Sequence, residues 1–536
     1  MFNSQANLLI NQTTPQLCDR LLIVHLFLST VSMALLLAPT LIHASEPFKI
    51  QIIDDVSGRG VPLVELSTVN NTRYISDSAG LIAFDDISLL GQHVFFYVTS
   101  HGYEFPADAF DYRGRSLQTT PGGQATIELK RINLAERLYR VTGGGIYRDS
   151  VMLDEAVPIR QPLLNSGVLG SDSVVNAVFN GRLYWFWGDT NFPKYPLGIF
   201  DVPGATSALP VNGGLDPNLG IDLEYFVDAE GFAKKTCVMP GKGPTWIDGL
   251  TVLNDDAGQQ RLFAHYAKVT QAMETHTRGI CEFDPTSESF KQVKVLDLKG
   301  LHPAGHPLRV TDNGTDYIYF AQPFPYTRVP ATIDAFLDPA QYEVYTCLKT
   351  DDASQSPRVL RTDDGRLEFA WRRSGEPLSL ALTKELIEQG KMTAEESPCL
   401  LRDRDTGQAI QAHSGSVAWN PYRQRWVMIV LELWGTSLLG EIWYAEAETP
   451  IGPWSDAVKI LTHDNYSFYN PKQHPYFDQD GGRFIYFEGT YTHTFTNNPD
   501  QTPRYDYNQI MYRLDLADER LGLKPPEESQ SQAAPE

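Results

Sequence analysis

The sequence predicts an all-β chain, a small β-sandwich followed by a five-bladed β-propeller, from a hairpin that recurs and from a change of texture along the chain. The hairpin fills residues 171–190, SDSVVNAVFNGRLYWFWGDT: an acid at a turn, a strand, Asn180-Gly181, and an aromatic strand ending in Gly188-Asp189-Thr190. Asn-Gly between apolar runs supplies the two left-handed residues that a tight hairpin turn needs. The layout returns at residues 248–269, 306–324, 413–433 and 474–490, the last with Gly481-Gly482 at its turn and Glu488-Gly489-Thr490 closing it. Further strand-like runs follow, such as 278–283, 342–348, 441–447 and 509–516. Four-stranded units repeated about an axis make a propeller, and five units can be counted.

At 536 residues the chain exceeds one ordinary domain. Residues 21–42 are almost uncharged, follow Arg20 and end just before Ala44-Ser45-Glu46, which is the layout of a signal peptide over residues 1–44. The same run is long enough to cross a bilayer as an uncleaved anchor. In either case the remainder is expected to be exported, secreted or periplasmic, and monomeric. Residues 45–131 form the sandwich: strand-like runs at 48–54, 61–66, 81–84, 93–98 and 125–129 are separated by Gly, Asp, Asn and Ser. The series DDVSGRGVPLVEL, SDSAGLIAFDDI and VTSHGYE resembles the transthyretin-like, or carboxypeptidase regulatory-like, sandwich. That resemblance implies a fold and no activity.

The propeller is assigned to residues 132–522, entered through Gly143-Gly144-Gly145, a linker that precedes no helix and has no phosphate-loop lysine. Residues 213–243, rich in Asp, Gly and Pro, read as a surface loop. Residues 382–397, LTKELIEQGKMTAEES, have helical spacing with Thr383 as cap, so a short helix is expected between the third and fourth units. The tail, 523–536, has no periodicity and is expected to be disordered. Cys18 lies in the leader; Cys237, Cys281, Cys347 and Cys399 are too widely spaced for a zinc motif and allow two disulfides, of which Cys347–Cys399, flanking the helix, is preferred. A net charge of −22 repels a phosphate backbone and disfavours nucleic-acid partners.

Inner strands of a propeller converge on one mouth of the axial channel, so the residues just before them meet there. Those positions hold Asp172, Asp248, His302 or His306, His413, and Asn470 or His474. Glycosidic cleavage uses two carboxyl groups, one protonated and one ionised. Asp172, before the first inner strand, is the base candidate, and Asp248, Asp189, Glu432 and Glu488 compete for the acid. Asp189, Glu432 and Glu488 end second strands, and a strict up-down order is expected to carry them towards the opposite end of the channel. Trp185, Trp187, Trp246, Trp434 and Tyr491 are rings for stacking on sugars, with Trp246 and Tyr491 favoured as exposed platforms.

The five units, the leading acid and HSGSVAWNPYRQRWVMIVLELWGTSLLGEIWYAEAETPIGPW together resemble five-bladed glycoside hydrolases of the family 43 type. The resemblance implies an Asp base, matched by Asp172, a second Asp that tunes the acid, matched by Asp248, and a Glu acid from a third blade. The third unit departs from that pattern, with His302-Pro-Ala-Gly-His306 where the Glu should lead. Catalytic candidates are therefore Asp172, Asp248, Glu488 and His306, and substrate-binding candidates Trp246, His413, His474, Tyr491 and Arg504. Two alternatives stay open. His302, His306, His413 and His474 with Tyr469 or Tyr491 suit β-elimination on a uronate, an Arg neutralising its carboxylate; a propeller that binds glycans without cleaving them is the other. Pro303, Gly305 and Pro307 forbid a helical zinc pair at His302 and His306. A calcium or other ion in the channel, held by Asp172 and water, is a further option.

Overall fold

The computed structural model describes residues 46–524, apart from Phe200, Gln271, 350–357, Ser374, Ser437, 464–465, Phe495, Asn497, Asp500, Pro503 and Tyr505. The signal-peptide assignment and all of the expected disordered tail beyond Lys524 lie outside the described residues. Among the described residues no helix is long and apolar enough to cross a membrane.

Residues from Phe48 to Arg131 form two four-stranded sheets. In the first, Phe48–Asp54 lies between Leu81–Phe84, antiparallel, and Gln124–Arg131, parallel. Alternation along Phe48–Asp54 buries Phe48, Ile50 and Ile52 against Phe84, Phe96, Val98 and Ile127 of both sheets, the period of two expected for a half-buried strand.

Among the described residues five sheets of four or five strands follow, beside three smaller ones of two or three strands, and each of the five starts from an inner strand: Val175–Phe179, Thr245–Asn254, His306–Asp312, Ala412–Asn420 and Ser467–Gln473. The Asn180-Gly181 turn is left-handed at both residues, with φ of 49° and 75°. The fifth sheet is completed by Glu136–Arg140, which pairs with Asn508–Asp515, so the strand leaving the sandwich closes the ring.

Four expectations change. The stretch 213–243 is more than a loop, because Glu224–Tyr225 is the outer strand of the first blade and Phe226 and Cys237 are buried. The inserted helix runs Leu380–Glu388, capped by the Ser379 side chain, which accepts from the Leu382 N–H at 3.1 Å; Thr383 is buried inside it. All four described cysteines are free and buried, so the Cys347–Cys399 bridge is not made. Finally, the fifth inner strand begins at Ser467, seven residues before the expected His474. Pro475–Phe477, which lacks one N–H and holds φ near −65°, is a 3-10 turn leading into the hairpin bend.

The sandwich and propeller pack within one compact unit. Leu63 and Ile75 of the sandwich join the core between the fourth and fifth blades, beside Ile460, Tyr466 and Tyr512. Asp77 accepts from the Ser150 N–H and hydroxyl at 2.6 and 2.7 Å, and Asn133 pairs with the backbone of Thr462 in both directions.

Candidate active site

A cavity of about 620 Å³ opens at the ends of the inner strands. The first blade lines it with Asp172, Ser173, Trp187, Gly188 and Asp189, the second with Trp246, Asp248, His265 and Arg278, the third with His302, His306 and Gln322, the fourth with Ser414 and Gly415, and the fifth with Tyr469, Asn470 and Tyr507. Trp187 is buried and stacks on Trp185 at 6.2 Å, so it forms wall rather than platform.

Asp172 precedes the first inner strand and is held from two directions. Its backbone N–H donates to the Asp189 carbonyl at 3.1 Å and its carbonyl accepts from Gly188 at 2.8 Å. Oδ2 accepts the hydroxyls of Tyr469 and Tyr507 at 2.8 and 2.7 Å. A Cβ on Gly188 would come within 2.2 Å of Oδ1, which explains glycine there. Burial raises the Asp172 pKa above the ordinary carboxylate range, and the two tyrosine hydroxyls oppose the shift.

Asp189 and Asp248 are both pushed up to about 6, chiefly by burial. For Asp189 the nearby Asp172 adds to the rise, while Trp246 Nε1, 3.4 Å from Oδ1, reduces it. Asp248 Oδ1 accepts from the Gly249 and Gly305 N–H groups at 2.8 and 2.9 Å, with a bulge just after it in the inner strand. Asp189 was expected at the far end of the channel. The antiparallel second strand instead returns to the mouth, Val175 pairing with Phe186, and so delivers Asp189 beside Asp172.

Imidazoles in the cavity are kept neutral. His306 falls well below its usual range through burial and the charge of Lys472, and His265 falls to about 3 through burial, next to His302 and Arg278. Backbone strain also gathers at this mouth: Ser173, Met273, Asn470 and Tyr507 have φ of 52°, 64°, 52° and 61°. Left-handed non-glycine residues persist where the surroundings over-determine them. Asn470 Nδ2 donates to Ser173 Oγ at 2.6 Å, one such restraint.

Of the residues favoured for catalysis or binding, the cavity gathers Asp172, Asp248, His306 and Trp246, together with the competing candidates Asp189, His302, Tyr469 and Asn470, and leaves out Glu488, His413, His474, Tyr491 and Arg504. Glu488 pairs with Lys472 below the mouth and is fully buried, as is His474, whose Nε2 lies 3.3 Å from Glu488. Burial raises Glu488 to about 8, against the pull of Lys472, and lowers Lys472 to about 7. Both residues sit deep because the fifth strand starts earlier than the pattern indicated. Tyr491 is 1% exposed, stacked on Tyr466 at 4.4 Å and hydrogen-bonded to His101 of the sandwich, so it is no ring platform. Arg504 donates to Asp149 at 3.0 Å, away from the cavity. His413 is exposed at the fourth-blade bulge, beside the lining residue Ser414 and outside the cavity itself.

No protein-family model matches the chain, and no curated protein matches it by sequence. Solved structures it resembles include an exo-β-1,3-galactanase from Phanerochaete chrysosporium with galactose, at 9% identity and TM-score 0.32, covering 65% of this chain and 61% of that one. A thermostable family-43 glycoside hydrolase matches at 14% identity and TM-score 0.31, over 68% of this chain and 97% of that one. A GH43_1 enzyme from Xanthomonas citri complexed with xylotriose matches at 11% identity and TM-score 0.31, over 66% and 88%.

Sequence reasoning passed over Arg278 and His265, which sit on later or interior strand positions with no turn signal to mark them. Tyr507 lay within a polar-aromatic stretch that was visible, PRYDYN, but its partner Asp172 is distant in sequence. Among the described residues no group of three or more His, Cys, Asp or Glu side chains is arranged to hold a metal ion.

Proposed function

We propose that this protein is an exported carbohydrate-active enzyme that hydrolyses glycosidic bonds in the propeller cavity. The observation that carries the reading is that three aspartates from two blades share one cavity in unlike settings, one tied to two tyrosine hydroxyls and two raised to about 6. All three are raised by burial, and the carboxyl whose ionised form two hydroxyls favour is assigned the base role while one without them is assigned the acid role. Asp172 removes a proton from the water whose oxygen bonds to the anomeric carbon. Asp248, on the neighbouring blade, gives its proton to the departing glycosidic oxygen as the carbon–oxygen bond breaks. Asp189 shares a wall with Asp172 and serves to tune it. Trp246 offers a ring to the sugar. Residues 1–44 are read as a cleaved signal peptide, and the N-terminal sandwich as a transthyretin-like module.

Arg278 with His302 and His306 in the same cavity favours one second reading, β-elimination on a uronate whose carboxylate meets the arginine. Incubation of residues 45–536 with neutral and uronate polysaccharides, products weighed by mass spectrometry, separates the readings: hydrolysis adds one water per cleavage and elimination adds none. Asp172→Asn is expected to lower turnover by roughly 10²- to 10⁴-fold. Unchanged turnover in that variant removes Asp172 from the mechanism, and binding without products leaves a lectin-like propeller.

A further inference from the structure

The mouth carries a large aromatic ring that the cavity does not use. Trp434 follows the second strand of the fourth blade, Arg425–Glu432, and Ala412 opposite Glu432 sets it at the same end as the lining residues Ser414 and Gly415. It is 70% exposed, and its backbone is left-handed with φ of 66°. A bulky ring in water and a non-glycine residue at positive φ are both unfavourable, and here they fall on one residue.

Hydrogen bonds on both sides of Trp434 hold its backbone. Leu433 N–H donates to the Gln411 carbonyl at 2.9 Å and Trp434 N–H to the Leu438 carbonyl at 3.0 Å. The buried Glu441 carboxylate accepts the Thr436 N–H at 3.1 Å and its hydroxyl as well. Trp443 Nε1 fixes Glu432, the last strand residue, at 2.8 Å. Trp419, at the other end of the same blade, is 39% exposed and leans edge-on against Trp426 at 5.6 Å. The backbone carrying the ring is thus restrained on both sides, and the ring itself is largely in solvent at the cavity end of the fourth blade.

We infer that Trp434 is a distal glycan subsite: a saccharide chain longer than the cavity holds leaves it over the fourth blade and lays the apolar face of a sugar ring on the indole. An exposed indole on a restrained backbone matches the apolar face of a sugar ring. A protein partner would bury roughly 800 Å² on this side, far more than one indole provides. The inference rests on the hydrolase reading and adds chain-length selectivity to it.

The test measures KM for a polymer and for the matching trisaccharide in wild type, Trp434→Ala and Trp434→Phe, with affinity electrophoresis of Asp172→Asn and its Trp434→Ala double variant through gels containing the polymer. Trp434→Ala is expected to raise the polymer-to-trisaccharide KM ratio about tenfold and to abolish gel retardation, and Trp434→Phe to restore most of both. Cleavage or binding by the wild type with an unchanged ratio and unchanged retardation in Trp434→Ala overturns the subsite and leaves the hydrolase reading standing. Failure of the wild type to bind or cleave any polymer in the panel overturns both.

Discussion

At the scale of single residues, the proposed hydrolysis gives the two aspartates raised to about 6 the task of setting the dependence on pH. A general acid must hold its proton, so the rate is expected to fall as pH rises through about 6, the value at which Asp248 loses it. Asp248→Asn should abolish turnover on unactivated glycosides and erase that limb where a good leaving group needs no acid; a limb that persists assigns it to Asp189. Stability follows the same groups with a definite sign. A carboxyl whose folded pKa is raised favours the folded state below its unfolded value and loses that contribution as pH rises through the folded one. Asp248→Asn is therefore expected to stabilise the fold at pH 8, by on the order of 1 kcal/mol, and to be neutral at pH 4, read from paired thermal melts. The placement of Asp172, Asp248 and His306 around the cavity was legible in the sequence because turn residues mark where inner strands lie, although Asp248 falls inside its strand, Thr245–Asn254, rather than at its start. Asp189 was displaced in that reading by an error of direction: an antiparallel return strand ends where its partner began.

At the scale of elements, the loop between Phe484–Thr492 and Asn508–Asp515 of the fifth blade links the segment ahead of the first blade to the site. Arg504 and Tyr507 are both left-handed, with φ of 70° and 61°. Arg504 donates to Asp149 and its carbonyl accepts from Arg140, both N-terminal to the first inner strand, and three residues later Tyr507 reaches Asp172. Removing a hydroxyl that donates to an ionised carboxylate raises its pKa. Tyr507→Phe should thus move the acid limb of the rate profile to higher pH, and Arg504→Ala should lower kcat with a smaller change in Tm; an unmoved limb in Tyr507→Phe would remove the tyrosine from control of the base. None of this coupling was visible in sequence, because Asp149 and Arg504 are separated by 355 residues and neither lies in a repeat. Blade number and most hairpins were visible, since alternation and Asn-Gly or Gly-Gly turns are local. The fifth inner strand was not, because FYNPKQ carries a proline, Pro471, at a bulge in its register.

At the scale of the whole molecule, cysteine chemistry and ring closure are the testable properties. Ellman titration of residues 45–536 in denaturant is expected to find four thiols, and in the native state none that react rapidly, because Cys237, Cys281, Cys347 and Cys399 are free and buried; a count of two or fewer would mean that bridges form. Removing residues 1–131 should leave a propeller that folds with a lower Tm, since Leu63 and Ile75 leave its core. Removing residues 1–140 should abolish cooperative folding, since Glu136–Arg140 goes with it and the edge of Asn508–Asp515 is bared. That closing strand also sets an order of events. It is synthesised before any blade, yet its neighbourhood waits for partners such as Gln509, which bonds Thr142 across 367 residues. Joining ends so far apart costs about 5 kcal/mol of chain entropy beyond a constant term. A chain emerging from the ribosome N-terminus first is therefore expected to carry an open arc of blades that closes only once the last hairpin is free, which would make the C-terminal strands the timekeepers of maturation.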